Sequence, residues 1–226
     1  GARAVVLGDN GSMTLDNSGT LLSLQSSDFA SGAGDTITLT STYAEYNGEN
    51  KQAYASGNVI MTSPSSTLRS EVVNFDRNSQ QAFYRTGGTI NDKENVLVSQ
   101  AGTYIVERKM YQFRNAVTIT NPKYVIKTNH LDYYENVGHA YLFGASTITS
   151  KENFIYTEKG FYDTKKNLAH FVKNSYIKYN NRLIEGEIRI ILLFLRDAFQ
   201  LLYQRLFDFF SMFYRTFLAS FQSLVP

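Results

Sequence analysis

Apolar and polar positions along this chain recur in columns 29 residues apart. Leu39, Leu68, Leu97, Ile126 and Ile155 form the first column. Two residues later come Ser41, Ser70, Ser99, Thr128 and Thr157, and then an aromatic column of Tyr46, Phe75, Tyr104, Tyr133 and Tyr162. A fourth column reads Ala53, Ala82, Tyr111, Ala140, Ala169, and a fifth reads Met61, Ile90, Ile119, Ile148, Ile177. The copies hold register without a gap, the mark of an array built from one supersecondary unit.

Each copy contains two alternating stretches. Tyr111, Phe113, Asn115, Val117, Ile119 and Ala140, Leu142, Gly144, Ser146, Ile148 show the pattern best. A period of two predicts strands with one buried and one wet face. Turn chemistry separates the halves at Asn47-Gly48-Glu49-Asn50, Asp76-Arg77-Asn78-Ser79, Glu107-Arg108-Lys109 and Asp163-Thr164-Lys165-Lys166, and Pro64 or Pro122 breaks the second link. Strand, turn, strand, link is a β-hairpin, so the fold class is all-β.

The first half carries a parity fault. Leu68 and Ser70 fall on one face, Val73 and Phe75 on the other. A bulge or sharp bend near Glu71-Val72 would return Leu68 and Phe75 to a common side. The second half has small or turn-tolerant residues at its midpoint, Gly57, Thr86, Asn115 and Gly144, which predict a corner. Bent antiparallel hairpins stacked in register make an elongated sheet folded on itself, a jelly-roll or solenoid with a long apolar interior. Its expected lining is Leu68, Phe75, Tyr84, Ile90, Leu97, Tyr104, Phe113, Ile119, Ile126, Tyr133, Leu142, Ile148, Ile155, Phe171 and Ile177. Each such side chain contributes about 1.5–3 kcal/mol when buried. The pattern fits a filled core and a greasy trough for alkyl chains equally.

Residues 1–35 read as irregular strands with hairpin turns at Asp9-Asn10-Gly11 and Asp16-Asn17-Ser18-Gly19. Ser31-Gly-Ala-Gly34 links them to the repeats. Composition sharpens the picture. Tyr and Phe number 16 each while Cys and Trp are absent, which favours strands and excludes disulfides and thiolate metal sites. A net charge of +2 with scattered basic residues leaves no electrostatic footprint for nucleic acid.

Catalytic and cofactor signatures are missing. His130, His139 and His170 stand in no metal-binding spacing, and two of them lie in strand patterns as surface or packing residues. There is no Gly-x-Ser-x-Gly elbow, and Gly87-Gly88 lacks the lysine of a phosphate loop. No cofactor is therefore expected. Asp76, Glu107, Glu135 and Asp163 recur once per copy. Paired acids could hydrolyse glycans, but these occupy turn positions where Asp caps backbone N–H groups. A non-enzymatic protein is expected.

Several phrases in the repeats are similar to those of the OstA/LptA-like family. Ala53-Tyr-Ala-Ser-Gly57-Asn58-Val59-Ile60-Met61-Thr62 resembles its A-x-x-x-G-N-V strand. Leu68-Arg-Ser-Glu-Val-Val-Asn-Phe75-Asp76-Arg77 resembles the strand that follows, and Thr128 to Glu135 and Tyr156 to Asp163 repeat the phrase more loosely. The resemblance covers residues 36 to 186. It implies an OstA-like β-jelly-roll of the Gram-negative periplasm that carries lipopolysaccharide toward the outer membrane. Acyl chains would then lie against the interior residues named above, and strand edges would join partners, or further copies, into a bridge. A structural or adhesive repeat with a filled core, and the periplasmic part of the outer-membrane translocon, are the alternatives.

The division expected is a jelly-roll over 1–187, with repeats from about 36, and a greasy tail over 188–226. In the tail Arg189, Arg196, Gln200, Gln204, Asp208, Ser211 and Arg215 recur at helical spacing. Charges interrupt it too often for a membrane span. Two readings fit. One is an amphipathic helix over 188–221 lying on a membrane surface or on the end of the stack. The other is a shifted reading frame, since the codons for Gly186 to Ile191 can spell Asp-Ser-Tyr-Tyr, close to the family phrase.

Overall fold

A computed structural model describes residues 11–15, 21–27, 36–47, 49–62, 66–91, 94–134, 136–179 and 182–191. The described chain is made of strands. In order they are β1 (Gly11–Leu15), β2 (Leu21–Ser27), β3 (Thr36–Thr40), β4 (Tyr43–Asn47), β5 (Gln52–Thr62) and β6 (Thr67–Asp76). Next come β7 (Gln81–Tyr84), β8 (Gly88–Asn91), β9 (Val96–Ser99), β10 (Ala101–Ile105), β11 (Met110–Asn121) and β12 (Tyr124–Tyr134). The last are β13 (His139–Ser150), β14 (Asn153–Asp163), β15 (Leu168–Lys173), β16 (Tyr176–Tyr179), β17 (Arg182–Glu185) and β18 (Ile188–Ile191). Every pairing is antiparallel, as expected for stacked hairpins.

The pairings resolve into two ladders. The first joins β4, the leading half of β5, the trailing half of β6, β7, β10, the leading half of β11, and so on through β15 to β18. The second joins β1, β2, β3, the trailing half of β5, the leading half of β6, β8, β9, and onward through β16 to β17. Long strands pass from one ladder to the other through a single corner. The cross-section is therefore a V. Among the described residues the backbone crosses between its arms only at that corner, and the hairpin turns line two opposite rims.

The corner is where the register breaks. Shifts occur between Ser56 and Val59, Arg114 and Val117, Lys127 and His130, and Phe143 and Ser146. Gly57, Asn115 and Gly144 have φ of 77°, 61° and 79°, so three of the four expected markers supply the left-handed backbone that turns the strand. In the remaining copy the marker is Gly87 (φ 86°), one residue beyond Thr86. The bend expected near Glu71-Val72 is present. The extra residues lie on the facing strand, where Gly57 and Asn58 stand opposite Glu71 alone. The parity fault is thereby repaired, and Leu68, Ser70, Val73 and Phe75 are all buried.

The serine and threonine column closes the corner chemically. Each hydroxyl reaches the carbonyl two residues on: Ser41 to Tyr43 (3.1 Å), Ser70 to Val72 (3.1 Å), Ser99 to Ala101 (3.0 Å), Thr128 to His130 (3.3 Å), Thr157 to Lys159 (2.9 Å). A bulge removes carbonyls from the ladder, and a buried carbonyl without a partner is costly. The column satisfies those groups from inside.

The turns of the first rim also stack on one another. Arg77 N donates to Lys51 O (3.0 Å), Val106 N to Gln80 O (3.0 Å) and Thr164 N to Gly138 O (2.9 Å). Asp76 Oδ1 accepts from Asn78 N at 2.9 Å, and Asp163 Oδ1 accepts from Lys165 N and Lys166 N at 2.9 Å. These carboxylates cap turns, as their positions in the repeat predict.

One expectation is corrected. Residues 188–191 do not begin a helix. They form β18, paired with β15 from Leu168↔Ile191 to Phe171↔Ile188. Ile188 is buried and Arg189 exposed, and the ladder continues four residues past the expected boundary at 187. Gly186, with φ of 117°, supplies this copy's corner in the position of the serine column. The rest of the tail, from 192 to 226, lies outside the described residues, as do the turn expected at 16–19 and the link at 31–34.

Candidate functional site

The space inside the V is one continuous apolar cluster. Its wall on the first ladder holds Phe75, Tyr84, Tyr104, Phe113, Tyr133, Leu142 and Phe171. The wall on the second holds Leu68, Ile90, Leu97, Ile119, Ile126, Ile148, Ile155 and Ile177. All are 0–4 % exposed. Every interior residue expected from the repeat therefore lies between the arms.

Within each wall the columns stack strand on strand. Ile119 faces Leu97 on one side and Ile126 on the other, Ile126 faces Ile148, and Ile148 faces Ile155. Near the turns of the first ladder Tyr111, which breaks its alanine column, stacks on Tyr104 with centroids 4.6 Å apart. At the second rim a small polar group closes the cluster. Asn121 Nδ2 donates to Asn95 Oδ1 (2.8 Å), and the Tyr124 hydroxyl donates to the same oxygen (3.0 Å). Among the described residues no backbone hydrogen bond runs from rim to rim.

Tyr84 links the two arms. Its ring reaches from the first ladder toward the corner, where its hydroxyl lies 2.7 Å from Ser99 Oγ. Gly88 and Gly102 leave space for that ring: a Cβ at either would come within 2.5 Å of a ring carbon. Burial pushes the phenol up to about 12, against the opposing pull of the Ser99 hydrogen bond and the Arg85 charge. It is neutral across the physiological range. Inside the V this arrangement offers apolar contact and hydroxyls already bonded to carbonyls, a surface suited to aliphatic chains.

The three histidines lie on the outer side of the first ladder, each beside a carboxylate. His130 Nε2 is 3.4 Å from Asp132, His139 Nε2 3.7 Å from Asp163, and His170 Nε2 2.6 Å from Glu187. Burial lowers the His130 pKa, and the neighbouring Arg114 charge lowers it further against the pull of Asp132. Arg114 itself pairs with Asp132 at 2.6 Å. These contacts join neighbouring strands, and no group of three or more such ligands converges on a metal site among the described residues.

Residues 29–129 match the family model described as OstA-like protein. This chain carries an OstA-like region. The hairpin repeat itself runs on from that region through β18. A comparison with curated proteins finds no match. Among solved structures, one titled as LptH of Pseudomonas aeruginosa, the LptA-homologous periplasmic component of a lipopolysaccharide transport device, aligns with 69% of this chain and 94% of that one. The identity is 15% and the TM-score 0.28.

Proposed function

We propose that this OstA-like protein is a non-enzymatic carrier of lipopolysaccharide in the Gram-negative periplasm, with the acyl chains taken up between the arms of the V. The observation that carries the reading is the construction of the interior. It is apolar along the described stack, and among the described residues no backbone hydrogen bond joins its two rims. No disulfide can bolt the rims together, since the chain lacks cysteine. Parting the arms would exchange protein–protein for protein–acyl contacts, so much of the apolar burial is retained. The stack also has strand edges at its ends, β4 and β18 on the first ladder and β1 and β17 on the second, among the described residues. Such edges accept a further strand from a partner or a second copy.

A photo-crosslinking amino acid tests this. Placed at Leu142, inside, it should capture lipopolysaccharide added to the purified protein; placed at the neighbouring outward Tyr141, it should not. Failure at Leu142, Ile119 and Phe113 together, with the fold intact, would assign the interior to a filled core and favour a structural repeat.

A further inference from the structure

The outer face of the first ladder holds a second feature, unconnected with the interior. Tyr54, Asn74 and Phe83 stand side by side on β5, β6 and β7, paired as Tyr54↔Asn74 and Asn74↔Phe83. Two strand spacings place the aromatic residues about 10 Å apart, with the short Asn74 between them. The result is a pocket of about 300 Å³. Elsewhere on this face Tyr141 and Phe161 occupy directly paired positions, and their rings touch at 5.1 Å. No slot exists there, so the gap depends on the asparagine.

Both walls are braced from behind. The Tyr43 ring meets Tyr54 edge-on at 6.3 Å. The Arg85 guanidinium lies 4.6 Å from the Phe83 centroid, and its Nη1 is fixed by Tyr84 O (2.9 Å), Gly102 O (3.1 Å) and Thr103 Oγ1 (3.0 Å). Walls already fixed lose little freedom when a ligand enters. The rim carries Glu45, Gln52 and Asp76 with Asn74 as floor, and no lysine or arginine lines the pocket. Carboxylates without a cation disfavour phosphate or any other anion. Two aromatic side chains flanking a short amide, with hydrogen-bonding groups at the edges, suit a flat saturated ring that has C–H groups on its faces and hydroxyls around its perimeter.

We propose that the slot between Tyr54 and Phe83 binds a pyranose, sandwiched between the two rings and hydrogen-bonded at its rim by the Asn74 and Gln52 amides and the Glu45 and Asp76 carboxylates. The site rests on this geometry and does not depend on the transport reading. The test is saturation-transfer NMR on the full chain with the methyl β-pyranosides of glucose, galactose and N-acetylglucosamine. At least one should receive saturation at its ring protons. Phe83→Ala should weaken it about five-fold, the loss of one aromatic face, and Asn74→Trp, which fills the slot, should abolish it. Both positions face outward, and circular dichroism checks that the variants remain folded. Octyl β-glucoside below its micelle concentration separates a free sugar from a lipid-linked one. Octyl glucoside binding that survives Asn74→Trp, with no signal from any methyl glycoside, would place the alkyl chain in the interior and overturn the slot. Binding of arginine methyl ester in place of every glycoside, or glycoside binding unchanged in both variants, would overturn it too.

Discussion

The Tyr84 hydroxyl and Ser99 Oγ lie 2.7 Å apart and join the end of β7 on the first ladder to the end of β9 on the second at the corner of the V. The ring behind that hydroxyl occupies space that only glycine at 88 and 102 leaves open. Tyr84→Phe should keep the packing and lose the bond, costing about 1 kcal/mol in urea unfolding. Gly102→Ala puts a methyl against a rigid, buried ring and should cost about 1–3 kcal/mol. Tyr84→Leu in the same chain should recover part of that loss, because the two positions share one volume. Strict additivity would show that the ring is free to move aside.

The corner column makes a second prediction. Thr157 Oγ1 reaches Lys159 O at 2.9 Å and Ser175 Oγ at 2.8 Å in a buried setting. Thr157→Val keeps the shape and leaves both groups short of a partner, so it should destabilise by about 1–3 kcal/mol. Thr147, on the outer side of the same ladder, serves as the control, and Thr147→Val should stay within about 0.5 kcal/mol. Equal effects at both positions would deny the column its role.

These two predictions mark what was legible in the sequence. The repeat, the alternation and the interior lining could be read because burial of one strand face imposes a period of two, and stacking imposes a period of one repeat. The serine and threonine column was equally visible, but its partners are carbonyls freed by a bulge on a neighbouring strand, and pairing is not written in either strand alone. The Tyr54–Phe83 slot escaped for the same reason: the two residues share one column of the repeat, but only the ladder register sets Asn74 between them. β18 was misjudged because Ile188, Ile190 and Ile191 run into an apolar tail that masks the alternation around Arg189. Its assignment depends on Phe171 and Ala169 across the ladder.

Acid should loosen the turns of the first rim. Burial by itself would raise the Asp163 pKa, but the N–H groups of Lys166 and Lys165, with the charges of His139 and Lys166, more than offset it and hold the carboxyl below its ordinary value. A depressed folded-state value means that Asp163 stabilises the fold above the unfolded pKa of about 3.9, and that this contribution disappears as pH falls through the folded value. Asp163→Asn should therefore unfold more readily than the parent at pH 7, with the gap narrowing below about pH 4. Thermal melts of both proteins across that range decide it, and a gap that widens on acidification would contradict the assignment.

β18 ends the first ladder and is the shortest path by which that edge could open. Ile188 is buried against the core cluster, and just before it Glu187 is held by His170 at 2.6 Å and by Arg189 at 3.4 Å. Only four residues secure the strand, and strand ends with few buried contacts open well below the global unfolding energy. Ile188→Asp removes a side chain buried in the core cluster and sets a charge against apolar neighbours. Hydrogen exchange at Leu168 to Phe171 on β15 should then accelerate, while β12 and β13 in the middle of the stack keep their protection. If the newly bared β15 edge pairs with a second copy, the variant will also elute as a larger species at high concentration. Unchanged exchange on β15 would mean that β18 contributes nothing to closing the ladder.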